Sequence, residues 1–312
     1  MKLFILVPCY NEEEVLPKSS AAFRDKLCRM IDAGTVDADS RIVFVDDGSK
    51  DRTWEIISGL HKNDPIFRGI KMSRNRGHQN ALVCGLETVK DECDAVITID
   101  ADLQDDIEVF DEMVKKCEAG ADIVYGVRSS RETDSFFKRT TAQGFYRVMS
   151  MMGVETVYNH ADFRLMSRRA IEGLESFGEV NLFLRGIVPM IGYKTDIVEY
   201  KRSPRAAGES KYPLKKMLSF AGEGITSMSV KPLKMITSVG LIIFVASLVM
   251  LIYSLVRHAI GQTVTGWTSL AISIWAIGGI QLLSVGILGE YIGKIYLETK
   301  KRPRYIVEKY LK

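Results

Sequence analysis

Two long runs of this chain hold no charged residue: Ile236–Val256, 21 residues, and Trp267–Leu288, 22 residues. At a helical rise of about 1.5 Å per residue each reaches about 30 Å, the thickness of a bilayer core. Nothing else in the chain is large enough to bury two such helices, so they are predicted to cross a membrane. The segment between them, Arg257–Gly266, is short, which makes the pair a hairpin with both flanks on one side. Lys231 and Lys234 precede the hairpin, and Lys294, Lys300, Lys301, Arg302 and Arg304 follow it. Positive-inside reasoning puts residues 1–230 and the C-terminus in the cytoplasm, and the protein in the cytoplasmic (inner) membrane as a multi-pass chain. The stretch 212–232, with Lys215 and Lys216, is expected to lie on the inner surface as an amphipathic segment, or to form an ordinary soluble helix. Residues 233–290 then hold the two spans, and 291–312 form a basic cytosolic tail.

The first 211 residues follow a different pattern. Short apolar runs at 3–9, 41–45, 67–72, 95–99 and 122–126 alternate with helical patterns at about 15–31, 54–61, 80–89 and 107–119. Strands alternating with helices of this length predict βαβ units and an α/β domain on a mostly parallel sheet. Residues 130–210 are less regular and rich in arginine. Five scattered cysteines with no Cys-x-x-Cys give neither a disulfide framework nor a zinc site, and suggest a reducing compartment. The N-terminus lacks the long apolar core and cleavage site of a signal peptide. A net charge of +3 is too small to imply a nucleic-acid partner.

The strand order places the polar clusters. Tyr10, Asn11 and Glu12, then Asp46 and Asp47, then Ser73, Arg74 and Asn75, then Asp100 and Asp102, then Arg128, all fall just past the carboxyl end of a strand. In an open α/β sheet that rim is where ligands bind. Asp100 and Asp102 stand one residue apart where an apolar run stops, as carboxylates do when a strand tip holds Mg2+ or Mn2+ with substrate phosphates as further ligands. Asp105 and Asp106 are expected to cap the following helix. His78, at a strand exit, is read as a surface residue or a phosphate donor. Neither a dinucleotide fingerprint nor a P-loop is present. The Gly-, Ser- and Pro-containing run 200–211, with cations at Lys201, Arg202, Arg205 and Lys211, suits an anionic ligand that must be clamped and released.

Several motifs carry a resemblance: Val7–Glu12 (VPCYNE), Val45–Thr53 (VDDGSKDRT), Arg74–Gln79 (RNRGHQ) and Asp100–Asp106 (DADLQDD). With them go Tyr125–Arg128 (YGVR), Ala161–Arg164 (ADFR), Asn181–Gly186 (NLFLRG) and Arg205–Lys211 (RAAGESK), followed by two spans. In this order they resemble the family 2, GT-A-fold glycosyltransferases, and among them the polyisoprenyl-phosphate glycosyltransferases of the bactoprenol glucosyltransferase type, related to dolichyl-phosphate mannose synthase. The resemblance implies that Pro8, Tyr10, Glu12, Asp46, Asp47 and Arg74 line the nucleotide-sugar site. Asp46 would read the base edge, and Asp47 would support the ribose or the loop. It implies a divalent cation on Asp100 and Asp102 with Gln104 beside it. Arg128 would face the donor, and Arg202, Arg205, Ser210 and Lys211 the donor and lipid phosphates. Asp162 is either a site residue or a loop cap.

Acceptor hydroxyls need a general base, whereas a lipid phosphate is already ionised. Family members that glycosylate hydroxyls usually carry a Glu-Asp base motif, and the processive synthases a Gln-x-x-Arg-Trp motif. The matching region here reads Gly178–Arg185 (GEVNLFLR), with neither motif. The expected reaction is therefore a single inverting transfer from a nucleotide sugar, UDP-glucose before UDP-N-acetylglucosamine, a 4-amino-arabinose nucleotide or GDP-mannose, to a polyisoprenyl phosphate. A hydroxyl-acceptor transferase and a non-catalytic sugar-nucleotide sensor or scaffold are the alternatives. The hairpin leaves room for a homo-oligomer.

Overall fold

The computed structural model describes residues 1–129, 160–201, 225–227, 229–260 and 266–312. Eight strands form one sheet: β1 (Leu3–Cys9), β2 (Arg41–Asp46), β3 (Phe67–Met72), β4 (Ala95–Thr98), β5 (Ile123–Arg128), β6 (His160–Ser167), β7 (Thr195–Tyr200) and β8 (Val307–Leu311). Their spatial order is β7-β5-β6-β4-β1-β2-β3-β8. The ladders β1–β2, β1–β4, β2–β3 and β5–β7 are parallel, so the expected mostly parallel α/β sheet is observed. Strand β6, within the region that lacks a clear sequence pattern, runs antiparallel between β4 and β5.

Alternation along β1 explains the layering. Leu3, Ile5, Val7 and Cys9 belong to one apolar cluster, with Phe23 and Leu27 of helix α1 (Leu16–Asp32), Ile57 of α2 (Thr53–Asn63) and Phe110 of α4 (Phe110–Glu118). Phe4 and Leu6 belong to the other, with α3 (His78–Val89), α5 (Arg168–Glu175) and α6 (Leu184–Met190). A period of two on a strand buried on both faces gives this three-layer stack. Gly85 lets α3 seat closely, because a Cβ there would lie 2.4 Å from Leu6 Cδ1 and 2.8 Å from Val45 Cγ2.

Pro8 sits inside central strand β1, where a missing N–H would ordinarily cost a ladder bond. Leu6 bonds toward β4 and Cys9 toward β2, so by alternation the Pro8 nitrogen points to the β4 side. The β4 ladder ends at Leu6–Thr98 with a last bond from Ile99 N–H to Leu6 O, so the proline falls just where that ladder stops. The predicted helix over 107–119 begins as a tight 3-10 turn, Ile107–Val109, before α4 proper.

Helices α7 (Lys231–Ala259) and α8 (Trp267–Lys300) contact each other and are longer than the predicted spans 236–256 and 267–288. Their apolar side chains are outward: Leu241, Ile242, Ile252, Leu282 and Leu283 are all more than 60% exposed. That rules out a buried core pair and fits a lipid-facing surface. Among the described residues one stretch, Ile277–Lys300, is long and apolar enough to cross a membrane. The tail beyond it is more than a basic extension. It returns as β8, antiparallel to β3, with Lys71 paired to Glu308 at 2.9 Å and Lys312 to Glu92 at 2.9 Å.

Candidate active site

The exit loops of β1 and β2 are knitted to each other by side chains that bond backbone. Asn11 N–H donates to Ser49 Oγ at 3.0 Å, Lys50 N–H to Asn11 Oδ1 at 2.9 Å, Glu12 N–H to Thr53 Oγ1 at 2.9 Å, and Glu13 N–H to Asp51 Oδ2 at 3.2 Å. Asn11 takes φ 53°, a left-handed conformation that Asn tolerates better than most residues. Gly48 has φ 65°, and a Cβ there would stand 2.5 Å from Asn75 N and 2.6 Å from the Arg74 carbonyl carbon. The β2 and β3 exit loops therefore come into close backbone contact at Gly48.

The two adjacent acids of the β2 loop do different work. Asp47 is buried and accepts from the amides of Arg76 at 2.7 Å and Gly77 at 2.8 Å, so it shapes the loop that leads into α3. Asp46 is fully buried; its Oδ1 accepts from Ser49 N–H at 3.0 Å, while its Oδ2 has no hydrogen-bond partner. Burial raises the pKa of both, against the hydrogen bonds they accept. An orphaned buried oxygen costs free energy as long as no donor reaches it. Tyr10 stands 40% exposed at the β1 exit, and Arg74 is exposed on the neighbouring loop.

Asp100 closes β4, its side chain 47% exposed, and Asp102 accepts from Gln104 N–H at 3.2 Å. The protein packed around Asp100 raises its pKa, and Asp162, Asp105 and Asp102 raise it further, while His78 lowers it. Like charges crowded together hold a proton more tightly, and a neighbouring positive charge offsets them. Two carboxylates with substrate oxygens make a sufficient donor set for a hard divalent ion. Among the described residues no group of three or more His, Cys, Asp or Glu is placed to hold a metal.

Beside Asp100 the fold assembles a cluster that strand patterning does not foreshadow. His78 Nε2 lies 3.6 Å from Asp100 Oδ1 and 3.7 Å from Asp162 Oδ2. Asp162, at the start of β6, pairs with buried Arg164 at 2.9 Å and with Arg185 of α6 at 3.2 Å. Burial pushes the Asp162 carboxyl up, but Arg185, Arg164 and His78 together hold it well below the usual carboxylate range. Asp162 is therefore part of the rim's charge network, and His78 bridges two acids although its ring is 42% exposed. Their sequence signal was the pair of motifs ADFR and NLFLRG; their proximity depends on the antiparallel course of β6.

The expected capping pair divides. Asp106 does cap the following turn, accepting from Glu108 N–H at 2.9 Å. Asp105 does not. It is 5% exposed and takes the Tyr200 hydroxyl at 2.5 Å and Arg128 Nη2 at 3.5 Å. Arg128, 26% exposed, is thus aimed by a buried acid and by Tyr200, whose OH lies 3.3 Å from its Nε. The expected lipid-phosphate residues Arg202, Arg205, Ser210 and Lys211, and the 212–224 stretch, lie outside the described residues.

Residues 4–174 match the model of glycosyl transferase family 2, and residues 231–295 that of the GtrB C-terminal hairpin. An uncharacterized glycosyltransferase of Bacillus subtilis (strain 168), YkoT, is 52% identical over 306 residues, covering 98% of this chain and 91% of its own length. A prophage bactoprenol glucosyl transferase homolog of Escherichia coli (strain K12) is 41% identical, covering 99% of each chain. The bactoprenol glucosyl transferase of Shigella phage SfII is 43% identical, covering 99% of this chain and 98% of its own.

Proposed function

The chain belongs to glycosyl transferase family 2, and we propose that it transfers one hexosyl unit, glucose by preference, from a UDP-sugar to the phosphate of a polyisoprenyl lipid. The observation that carries this reading is the union of a carboxylate rim at the β4 tip with a pair of long helices whose apolar side chains face outward in the same chain. Full-length similarity to bactoprenol glucosyl transferases supports the donor sugar and the acceptor class.

In this reading the uridine base donates to the unpartnered Oδ2 of Asp46, while Tyr10 and Arg74 flank the nucleotide. Asp47 holds the Arg76–Gly77 backbone in place beneath it. Asp100 and Asp102, with Gln104 beside them, would hold Mg2+ or Mn2+. The bound cation supplies charge neutralisation for the diphosphate leaving group. Arg128, fixed by Asp105 and Tyr200, lends a second positive charge to the same leaving group. The acceptor phosphate is ionised at neutral pH, so no side chain has to remove a proton. Its oxygen bonds to C1 as the C1–O bond to the diphosphate breaks, with inversion. Arg202, Arg205, Ser210 and Lys211 are assigned to the acceptor phosphate.

Because β8 pairs with β3, the chain leaves the catalytic domain through α7 and comes back to it after α8. A hairpin crossing the bilayer twice meets that constraint, with the catalytic domain and both termini in the cytoplasm. The test is to incubate detergent-solubilised protein and undecaprenyl phosphate with a panel of nucleotide sugars and identify the lipid product by mass. A polyprenyl monophosphate hexose from UDP-glucose is expected. A product carrying sugar on a hydroxyl, or no lipid product with any donor, overturns the reading.

A further inference from the structure

The membrane arm ends in a local contradiction. Glu298 lies in the last turn of α8, where the helix dipole disfavours an acid. Four hydrogen bonds surround it. Val180 N–H reaches both carboxylate oxygens at 2.9 Å, and Asn181 reaches Oε1 with its backbone N–H and its side-chain Nδ2, each at 2.8 Å. One turn earlier in α8 the Lys294 carbonyl accepts from the same Asn181 Nδ2 at 3.4 Å. Beyond the helix end, Arg304 donates to Phe177 O at 3.1 Å and pairs with Glu87 of α3 at 2.9 Å. The arm therefore grips the strap of residues 177–183 at both ends of a short interval.

The far end of that strap reaches the catalytic rim twice. Leu184 N–H donates to Gln79 Oε1 at 2.7 Å, and Gln79 is the residue after His78. Arg185, next in the chain, pairs with Asp162, which faces His78 beside Asp100. From Glu298 to Asp100 the path is one of hydrogen bonds, a single seven-residue strap and three contacts between charged or titratable groups, Arg185–Asp162, Asp162–His78 and His78–Asp100.

We propose that Glu298 is a positioning residue: by holding Val180 and Asn181 to the end of α8, it sets Arg185, Asp162 and His78 in place beside Asp100, and so makes the geometry of the rim depend on how the membrane arm is seated. Only the kinetic arm of the test rests on the proposed glycosyl transfer.

The test uses the full chain in lipid nanodiscs, as wild type, Glu298→Ala and Glu298→Gln. With Glu298→Ala, amide exchange at residues 180–190 and 162–165 is expected to rise roughly tenfold, since charge-assisted bonds are lost along the strap. Turnover is expected to fall roughly tenfold with the donor KM within about twofold, because the Asp46 side of the site is not on this path. Glu298→Gln keeps an acceptor oxygen and is expected to restore turnover to within roughly threefold of wild type. The Glu308→Gln variant, whose side chain meets Lys71 on the far edge strand, is expected to change neither readout. Unchanged exchange at 162–165 and 184–190 in Glu298→Ala overturns the linkage whatever the acceptor proves to be. Loosened exchange with full turnover, or a loss that Glu298→Gln shares in full, overturns the positioning role.

Discussion

Replacing Asp162 by Asn tests whether the charge cluster beside Asp100 is built as described. The carboxylate is the counterion of Arg164, whose guanidinium is 2% exposed and 2.9 Å away, and of Arg185, which is 32% exposed and 3.2 Å away. Arg185 can turn to water when its partner is neutralised. Arg164 cannot, and one of its nitrogens, Nη1, is already buried without a partner. Removing one member of a buried ion pair costs about 3–5 kcal/mol, most of it from the charge left behind. For a domain of about 200 residues that lowers the melting temperature by about 6–20 °C. The Arg164→Met variant is expected to cost less, because Asp162 keeps Arg185. In the double variant no buried charge is stranded, so at least about 2 kcal/mol of the Asp162→Asn loss should return. Thermal unfolding in detergent, read from Trp54 with Trp267 and Trp275 changed to Phe, gives all four corners of the cycle. A shift below about 1 kcal/mol for Asp162→Asn, or strict additivity in the double variant, would refute the reasoning.

Gly48→Ala should lose about 2–5 kcal/mol, combining left-handed strain with overlap onto the Asn75 backbone, and unfolding in urea measures it. Asp46→Asn should leave the ligand-free protein as stable or more so, since the buried second oxygen gains nothing from its charge, yet weaken UDP binding by roughly tenfold or more in calorimetry. Acid should loosen the C-terminal strand. Partial burial pushes the Glu92 carboxyl up, but its bonds to Lys312 and Arg68 hold it below its ordinary value. Its folded pKa being the lower, the stability it contributes is complete above the unfolded value of about 4.3 and is lost as pH falls through the folded one. Amide exchange of residues 307–311 should therefore speed up in acid, and the acid-dependent part should vanish in Glu92→Gln.

The parallel core was legible because each of its strands is a short apolar run cut off by a polar cluster, and Leu3–Cys9 and Phe67–Met72 match the sequence reading residue for residue. The co-location of Asp46, Asp100 and Arg128 on one rim followed from that order alone. Strand β6 was not legible, since its eight residues include His160, Asp162 and Arg164, and Arg164 is buried only because Asp162 neutralises it. Strand β8 carries Glu308 and Lys309 and reads as tail until β3 offers it an edge. Asp105 was misread for a related reason. It looks like its neighbour Asp106, and only Tyr200, 95 residues away, turns it from a cap into a buried anchor for Arg128. For β8 and Asp105 the missing information is a contact distant in sequence, and for β6 it is the burial of a charged pair that local pattern reads as exposed.

The central claim is that Asp100 and Asp102 hold the cation on a diphosphate leaving group while a lipid phosphate attacks. The most direct measurement is lipid-linked hexose formation from UDP-glucose and undecaprenyl phosphate by the Asp100→Asn, Asp102→Asn double variant, with folding verified by amide exchange of β1 and β4. Wild-type protein is expected to form the product only with Mg2+ or Mn2+ present, and the folded double variant is expected to form none at any metal concentration. Turnover by the double variant at the wild-type rate would contradict the account.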